Sequence, residues 1–345
     1  MKNLNFAILG CGTIGDVHAR AISEIESAKL VAVCDVSPAK AQEYAKKYGV
    51  KAYTDYDEML RDPEIDAISI CTPSGMHADQ AISALNADKH VLVEKPMALN
   101  SRDAKRVCDA AEKSNKLLSV IFQMRYTEDI QYIKKILDEG KLGQLVFCDI
   151  YMKYWRDPSY FKVSPWRGTF AMDGGGALMN QGIHGIDIMH YLCGAPKILG
   201  AKVKTLVHSI ETEDTAVAAV EYPSGALGVI QASTSSNPGF DRKISIHGSR
   251  GYAVIVDANI EKLFIDGEFV INQKVDTAPG TASDPTKMSH KKHVLQMKNF
   301  IGAIANEEKL ISTAYDGFAA VNFVEQIYNI SKNANNCCQM EEQNV

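Results

Sequence analysis

The chain carries two sets of polar side chains that could take part in catalysis, and the first is centred on Lys95. Lys95 stands between Glu94 and Pro96, directly after a short apolar run, where a turn at the end of a strand would hold it. Partial burial and a neighbouring positive charge lower the pKa of a lysine, which leaves part of it neutral near pH 7. Lys95 is therefore predicted to act in acid–base catalysis, against the alternative of a solvated lysine in a turn.

The second set consists of Asn180, His184 and Asp187. If residues 179–192 form a helix, these three positions lie at i, i+4 and i+7 and share one face. Three glycines at 174–176 would let the start of this helix approach a ligand or another backbone. The alternative is a helix packed on a sheet with a satisfied core histidine, but a polar stripe fits that role poorly. No further ligand is evident, and we expect no metal site.

Residues 155–167, which lie between Lys95 and Asn180 in the sequence, include side chains of types that bind sugars. Trp155 and Trp166 offer indole rings for stacking, and Arg167 offers forked hydrogen bonds. We expect these three residues to contact a substrate. A hydrophobic lid is the alternative interpretation.

A glycine-rich turn joins the first predicted strand to the first predicted helix within residues 6–35. Gly10 permits the tight turn, Gly12 lets a pyrophosphate approach the backbone, and Gly15 lets the helix pack close to the strand. The helix start offers free N–H groups and a partial positive charge to the phosphates. Asp35 can accept both ribose hydroxyls and would repel a 2′-phosphate, which favours NAD over NADP. The residues expected at this dinucleotide site are Gly10, Gly12, Thr13, Ile14, Gly15 and Asp35.

Ligands of a doubly wound sheet bind beyond the carboxyl ends of its strands. Two further predicted strands end in polar turns, and His77 opens the helix after the first of them. We expect His77 to start that helix or to lie at the cofactor's edge, and not to be a catalyst. The further residues expected along the cofactor are Thr72, Pro73, Ser74, His77, Glu94 and Lys95.

The order of predicted elements indicates two domains. Residues 6–122 alternate short apolar strands with helices, which is typical of a parallel sheet covered on both faces. Residues 197–272 alternate at period two between turns, which is typical of an open, mainly antiparallel sheet. We therefore predict an α/β Rossmann domain (residues 1–123) and an α+β domain for substrate binding and oligomerisation (residues 124–345). Residues 276–286 are predicted to form a mobile surface loop, and helices over 290–305 and 316–332 precede a frayed polar tail.

Two strands of the predicted second sheet carry apolar residues at alternate positions. Ala218, Val220, Val229 and Gln231 are expected to form an exposed face that another subunit covers. A homodimer or homotetramer is therefore predicted.

Composition restricts the partners and the compartment. A net charge of -5, a pI near 6.0 and the lack of a Lys/Arg run argue against nucleic-acid or membrane partners. We expect no signal peptide and no membrane span, because the first strand begins at once and no apolar run is long enough. The eight cysteines include no CxxC pair, as expected of reduced, buried thiols in a cytoplasmic protein. Cys337 and Cys338 are expected to be exposed.

Taken together, these motifs resemble the glucose-fructose oxidoreductase / inositol dehydrogenase / rhizopine catabolism family (Gfo/Idh/MocA). The resemblance covers essentially the whole chain and rests on the strand-GxGxxG-helix, Glu94-Lys95-Pro96, Trp166-Arg167-Gly168, the block at 174–187, and His293 with Gln296. It implies hydride transfer between NAD(P) and a secondary alcohol of a sugar, sugar derivative or cyclitol. It also implies that Lys95 is the catalytic lysine, that Pro96 is the often cis proline, that His184 is the active-site histidine, and that Gln123 lies near the nicotinamide.

The chain departs from the family pattern at Asn180, where many members have an aspartate. An amide cannot accept the proton, so the acid–base role shifts to Lys95 with His184, while Asn180 remains a candidate for binding substrate at the reacting centre. The sequence Asn-Gln-Gly-Ile-His also occurs in members similar to dehydrogenases of UDP-linked N-acetylamino uronates. An NAD-retaining glycosidase and a non-enzymatic NAD(P)-responsive regulator are the alternatives. The presence of both Lys95 and His184 favours an enzyme.

Overall fold

The computed structural model describes residues 3–275 and 289–342, with side chains as far as residue 333. The described residues divide into two compact units. The first consists of residues 3–126 and 289–318, and the second of residues 127–275 and 319–342. This division differs from the predicted one, which assigns every residue beyond 123 to the second domain.

The first unit contains a parallel sheet of six strands. The strands are β1 (Leu4–Leu9), β2 (Ala28–Cys34), β3 (Lys51–Tyr53), β4 (Ala67–Ile70), β5 (His90–Val93) and β6 (Leu118–Val120). They lie in the order β3-β2-β1-β4-β5-β6, so the order reverses between β1 and β4. Such a reversal opens a crevice for ligands beyond the carboxyl ends of the strands. The predicted doubly wound α/β sheet is confirmed.

Helices connect these strands, and local signals set their ends. They are α1 (Thr13–Ser23), α2 (Pro38–Tyr48), α3 (Tyr56–Leu60), α4 (His77–Asn86) and α5 (Ser101–Lys113). Pro38 occupies the first turn of α2, and Gly49 ends that helix in the left-handed conformation. Asp55 and Asn100 cap α3 and α5 through their side-chain oxygens.

The second unit contains an eight-stranded sheet. The strands are β7 (Leu145–Lys153), β8 (Lys197–Lys204), β9 (Thr215–Glu221), β10 (Leu227–Ser233), β11 (Lys243–Gly248), β12 (Gly251–Val256), β13 (Asn259–Ile265) and β14 (Glu268–Asn272). Their order is β14-β13-β12-β11-β7-β10-β9-β8. Strands β7 and β10 run parallel, and the other described pairs are antiparallel. The predicted, mainly antiparallel sheet is confirmed.

The helices of the second unit differ from the prediction in two places. They begin with α6 (Glu128–Asp138), α7 (Pro158–Lys162), α8 (Phe170–Asp173) and α9 (Ile183–Cys193). The sequence predicts neither of the short helices α7 and α8, because four or five residues are too few to show a helical period. A π-helical segment (Ala177–Gly182) leads into α9, where a single helix over 179–192 is predicted.

The predicted composition of the sheet's open face is wrong in part. Ala218 pairs with Ile230 and is buried, and Val220 is buried as well. Because side chains alternate along a strand, Val229 and Gln231 point to the opposite side from these two residues. The open face instead carries Val217 and Ala219 of β9 beside Val229 and Gln231 of β10.

Helices α10 (Lys291–Ile304) and α11 (Ala314–Glu342) end the chain. Val294, Met297 and Phe300 of α10 lie in the same buried cluster as Phe6 and Leu30 of the first unit. The rings of Phe6 and Phe300 are 6.4 Å apart. Helix α11 continues to Glu342 instead of ending at 332, so the predicted frayed tail is wrong as far as that residue.

The described residues test the predictions on cysteines, the surface loop and membrane spans only in part. The six cysteines with described side chains are free thiols, and each is buried or half-buried. The side chains of Cys337 and Cys338 and the loop at 276–286 lie outside the described residues. Among the described helices, none combines the length and apolar character that a membrane crossing requires.

Candidate active site

The glycine-rich turn between β1 and α1 is tightly packed at its ends and open in its middle. Gly10 has a φ of +102°, and a Cβ there would lie 2.8 Å from the carbonyl carbon of Cys71. A Cβ on Gly15 would lie 2.2 Å from the carbonyl oxygen of Gly10. A Cβ on Gly12 would have no described atom within 4 Å. The open space beside Gly12 therefore fits the close approach of a phosphate.

The first turn of α1 adjoins this space. Gly12 is the N-cap, and Thr13 and Ile14 are the first helical residues. The N–H groups of a helix start have no intrahelical partners, and the helix dipole favours an anion there. The arrangement fits a dinucleotide pyrophosphate.

Asp35 follows β2 and is fixed by the backbone. One carboxylate oxygen accepts the N–H of Cys11 at 2.9 Å, and the other accepts the N–H of Ser37 at 2.8 Å. Each carboxylate oxygen keeps a second lone pair for a ribose hydroxyl. These two acceptor oxygens therefore fit NAD, whose ribose carries hydroxyls and no 2′-phosphate.

His77 joins the loops that follow β4 and β5. Its ring nitrogens lie 2.8 Å from the carbonyl oxygens of Thr72 and Pro96. Burial lowers the pKa of His77, so the ring is neutral and donates to one of the two carbonyls. The Thr72 hydroxyl donates to Gln80 at 2.5 Å, and a 3-10 turn (Ser74–Met76) follows Pro73. His77 starts its helix as expected and ties the two loops together.

Lys95 follows β5, and Glu94 holds the turn that carries it. The peptide bond between Lys95 and Pro96 is cis. One oxygen of Glu94 accepts the backbone N–H of Lys95 at 3.1 Å, and the other lies 3.0 Å from Nε2 of His18. Both carboxylate oxygens thus have protein partners, and the predicted contact of Glu94 with the cofactor stays a prediction. Glu94 also positions the backbone of Lys95.

His18 and Glu94 form an ion pair inside the first unit. His18 is fully buried on α1, and its Nδ1 lies 2.6 Å from the hydroxyl of Ser69 on β4. Burial alone would lower the pKa of His18, but Cys71 and Glu94 raise it to about 10. Burial alone would raise the pKa of Glu94, but His18 lowers it to about 2. At neutral pH this pair is therefore an imidazolium and a carboxylate.

His293 on α10 completes this cluster. Its Nε2 lies 3.9 Å from Glu94, and its ring centre is 5.2 Å from that of His18. Burial and the charge of His18 lower the pKa of His293 to about 3, so this ring is neutral. The ligand atoms of the three residues lie within 4.8 Å of one another, a spacing that a metal ion could bridge. We interpret the cluster as an ion pair, because His18 already hydrogen-bonds both Glu94 and Ser69.

Gln123 begins the 3-10 turn (Gln123–Tyr126) that follows β6. It is buried, and its amide oxygen has no hydrogen-bond partner among the described residues. A buried acceptor without a partner costs free energy, so the oxygen is suited to accept a hydrogen bond from a bound ligand. This observation supports the expected place of Gln123 beside the nicotinamide.

In the second unit, Glu213 holds the start of the π-helical segment. Its carboxylate accepts the N–H groups of Gly176 and Leu178 at 2.9 and 2.8 Å, and the Tyr328 hydroxyl at 2.9 Å. A Cβ on Gly176 would lie 2.0 Å from the carbonyl oxygen of Glu213, so only glycine fits there. Burial raises the pKa of Glu213, and the donors oppose that shift.

Asn180 lies within the π-helical segment and is half-buried. The carbonyl oxygen of Gly176 accepts the N–H groups of both Asn180 and Gln181, at 3.1 and 3.2 Å. The bond to Gln181 spans five residues and marks the wider π turn. The side-chain amide of Asn180 donates to Asp173, and its oxygen accepts from Gln181 at 2.7 Å.

His184 and Asp187 lie on α9, beyond the π segment. His184 is half-buried in the first turn of α9, whereas Asp187 is almost fully buried. The π turn changes the angular position of Asn180 relative to these two residues. The prediction that Asn180, His184 and Asp187 share one helix face is therefore wrong, because it assumes one continuous α-helix.

The predicted sugar-binding residues occupy the stretch between β7 and the π segment. Trp155 forms a β-bridge with Ser235, and its ring centre is 5.7 Å from that of His208. Trp166 is half-buried beside Arg167, whose guanidinium lies 5.7 Å from its ring centre.

The sequence predicts no role for His18, Ser69, Arg156 or Glu213, and it identifies His293 only as part of a motif. His18 interrupts an otherwise apolar buried face of α1, and a histidine there predicts a polar partner nearby. Ser69, Glu213 and His293 have partners far away in sequence, so no local pattern reveals them. Arg156 contacts its near neighbours Tyr154 and Tyr160, and an arginine among aromatic residues is a local signal that could have found it.

Two regions of the chain match known protein families. Residues 4–122 match the GFO_IDH_MocA family, described as an oxidoreductase family with an NAD-binding Rossmann fold. Residues 130–254 match the GFO/IDH/MocA C-terminal domain.

Individual relatives extend this similarity along the chain. The myo-inositol 2-dehydrogenase of Thermotoga maritima is 31% identical over 259 residues, which cover 72% of this chain and 74% of the relative. The D-glucoside 3-dehydrogenase of Escherichia coli is 27% identical over 350 residues, which cover 94% of each chain. The crystal structure of the WlbA dehydrogenase from Bordetella pertussis in complex with NADH and UDP-GlcNAcA is also similar. Its TM-score is 0.85 at 28% identity, covering 96% of this chain and 98% of that one.

The fold and the strand-end residues define an NAD-dependent oxidoreductase with a Rossmann domain. The chain belongs to the GFO/IDH/MocA oxidoreductase family, as its motifs indicate. It is a dehydrogenase that acts on CH–OH groups, and its cofactor is NAD.

Proposed function

We propose that the chain transfers a hydride between NAD and a secondary alcohol of a sugar, sugar derivative or cyclitol, with Lys95 as the acid–base. The observation that carries this proposal is the place of Lys95 at the carboxyl edge of the NAD-binding sheet, where buried Glu94 holds its turn. Relatives that act on inositol and on glucosides support the substrate class.

The residues of this chain divide into two roles. NAD would supply the acceptor for the hydride of the alcohol carbon when bound. Neutral Lys95 accepts the hydroxyl proton at Nζ, and His184 hydrogen-bonds the same oxygen or relays the proton. Asn180 binds the substrate, because an amide cannot take the proton. The residues proposed to hold the sugar with Asn180 are Trp155, Trp166 and Arg167.

Holding the substrate and the cofactor in fixed positions typically contributes more to the rate than proton transfer alone. The open space beside Gly12 and the bonds that fix Asp35 support a preformed cofactor site. The residues proposed to hold NAD are Gly10, Gly12, Thr13, Ile14, Gly15, Asp35, Thr72, Pro73, Ser74, His77, Glu94, Lys95 and Gln123.

A panel of substrates tests this function. Sugars, sugar acids, UDP-sugars and inositols are offered with NAD, and NADH is followed at its absorbance band. At least one compound is expected to give NADH in proportion to the enzyme. Release of free sugar from a glycoside without net NADH would instead indicate the oxidation–elimination chemistry of a glycosidase. NAD binding without turnover on any compound would contradict the proposed function.

We also propose that the open face of the second sheet is covered by another copy of the chain. Phe147, Val217, Leu227 and Phe269 are each between 44% and 52% exposed, and apolar patches of this kind usually mark interfaces. Sedimentation velocity is expected to show a dimer or tetramer. Val217→Lys is expected to shift the distribution towards monomer, whereas Leu206→Lys in a loop is not. A wild-type monomer at micromolar concentration would contradict this proposal.

A further inference from the structure

Arg156 is a buried cation beside the predicted sugar-binding residues. It is 9% exposed, and its guanidinium lies 5.7 Å from the ring centre of Tyr154 and 5.6 Å from that of Tyr160. One N–H donates to the carbonyl oxygen of Trp155 at 3.1 Å, and another donates to Oε1 of Gln181 at 2.6 Å. Every partner of Arg156 among the described residues is neutral.

Arg167 lies against the same tyrosine. Its guanidinium is 4.2 Å from the ring centre of Tyr160, and one N–H donates to the Tyr160 carbonyl oxygen at 3.1 Å. Its Nε is buried and has no hydrogen-bond partner in the described part of the chain. The two guanidinium groups also repel each other, which adds to burial in lowering the pKa of Arg156. The positive charge here is therefore concentrated and costly to hold.

The nearby carboxylates are bonded elsewhere. Asp173 accepts the N–H of Gly168 at 2.8 Å and also accepts from Asn180. Glu211 accepts the N–H of Phe170, and Asp157 accepts the N–H of Ser159. No carboxylate of a described residue forms an ion pair with Arg156 or with Arg167.

The N–H groups of Arg156 and Arg167 that have no acceptor among the described residues indicate the kind of ligand that would bind them. A guanidinium has five N–H donors in a planar fork that matches the oxygens of a carboxylate or phosphate. Arg156 donates to the Trp155 carbonyl and to Gln181 and also interacts with the Tyr160 side chain, and Arg167 donates to the Tyr160 carbonyl, so all of these acceptors are neutral. Buried charges are normally paired; Arg156 is buried and Arg167 is half-buried, so an anion that the described residues do not supply would explain the two guanidiniums.

This anion would lie beside the proposed substrate residues. Gln181 accepts from Arg156, and its own amide donates to Asn180 at 2.7 Å and to the Tyr160 hydroxyl at 2.9 Å. The hydrogen bonds therefore connect Arg156 to Asn180 through Gln181, and Tyr160 links Arg167 to the same Gln181 amide. Resting on the proposed function, we propose that Arg156 and Arg167 bind an oxyanion of the substrate. The substrate is then an acidic sugar derivative and not a neutral sugar or cyclitol.

Matched compounds test the charge requirement and identify its source. Each neutral hexose is compared with its uronate, its 6-phosphate and its UDP-sugar, for the gluco, galacto and manno series, with myo-inositol as a further neutral compound. Binding to the NADH-loaded protein is measured by calorimetry, and NADH formation is measured with NAD. We expect the acidic members of one series to bind at least about tenfold more tightly than its neutral member. Preference for the uronate identifies a carboxylate, and preference for the phosphate or UDP-sugar identifies a phosphate.

Variants connect that preference to the two arginines. Arg156→Gln and Arg167→Gln are each expected to weaken binding of the preferred acid by ~10–100-fold, so that the ratio of acid affinity to neutral affinity falls towards one. Arg156→Lys keeps the charge without the fork and is expected to be intermediate. Arg250→Gln is the matched control, because Arg250 is exposed and paired with Asp266. Retained NADH binding shows that each variant is folded.

The outcomes separate this inference from the proposed function. Equal binding of neutral and acidic members, or acid binding that survives both glutamine variants, would overturn the oxyanion site even if a neutral sugar is oxidised. Tight, arginine-dependent binding of an acid without NADH formation would support the oxyanion site and count against the proposed function.

Discussion

Replacing Lys95 with alanine is expected to lower kcat by ~10²–10⁴-fold while NAD affinity changes little. The reason is that the side chain supplies the proton acceptor, whereas its backbone remains in the turn that Glu94 holds. NADH formation is measured with the best compound of the panel, and NAD binding is measured by calorimetry.

The Lys95→Arg variant tests whether catalysis needs proton transfer by residue 95 or only a positive charge there. Arginine keeps a cation at this position but does not release a proton in proteins, so its kcat is expected to fall as far as that of Lys95→Ala. In the wild type, kcat is expected to rise with pH as Lys95 becomes neutral, and both variants should lose that rise. Lys105→Ala, an exposed lysine paired with Asp109, is the control. A nearly active Lys95→Arg enzyme would remove the acid–base role from Lys95.

Replacing His18 with alanine is expected to destabilise the protein by about 3–5 kcal/mol between pH 4.5 and 6.5, because it leaves the Glu94 carboxylate buried without its cation. His18 is fully buried and Glu94 is 8% exposed, so water compensates little. Denaturant unfolding followed by circular dichroism measures the loss. His247→Ala is the control, since His247 is exposed on the second sheet.

The pH dependence tests whether the pair is charged. The folded pKa of His18 is raised from 6.5 to about 10, so its contribution is complete below pH 6.5 and is lost as pH rises through about 10. The folded pKa of Glu94 is lowered from 4.5 to about 2, so its contribution is lost as pH falls through that range. The stability difference between wild type and His18→Ala should therefore shrink by up to ~1.4 kcal/mol per pH unit above pH 6.5. A difference that stays constant from pH 6.5 to 10 would show that His18 is neutral.

The pH dependence of kcat shows whether Glu94 and His18 affect Lys95 or only stabilise the fold. Glu94→Gln can still accept the N–H of Lys95 through its amide oxygen, but it removes a negative charge that interacts with Lys95. The pH at which kcat rises is therefore expected to move lower in Glu94→Gln. His18→Gln leaves the carboxylate without its cation, so that pH is expected to move higher. Shifts of opposite sign would not follow from a loss of stability.

The sequence predicts the first sheet well because its signals are local. Helix α2 begins at Pro38 and ends before Gly49, and each residue acts through the backbone at its own position. The positions of Gly10, Gly12, Gly15 and Asp35 are likewise fixed by one strand-turn-helix unit, so the conformation of the glycine-rich turn could be predicted from local sequence.

Predictions fail where distant residues decide the structure. The π segment depends on Glu213, which lies more than thirty residues after Gly176 and Leu178. The place of His293 depends on α10 packing within the first unit. The open face of the second sheet depends on the register that pairs Ala218 with Ile230, which hydrophobic alternation alone does not specify.

The return of α10 to the first unit has a consequence for biosynthesis. Phe6 and Leu30 emerge from the ribosome early, yet Met297 and Phe300, which bury them, are made only after the whole second sheet. Until α10 is synthesised, the nascent Rossmann sheet therefore has an uncovered apolar face, which favours aggregation or chaperone binding. A fragment that stops at residue 123 would keep that face permanently exposed and is a poor choice for separate expression.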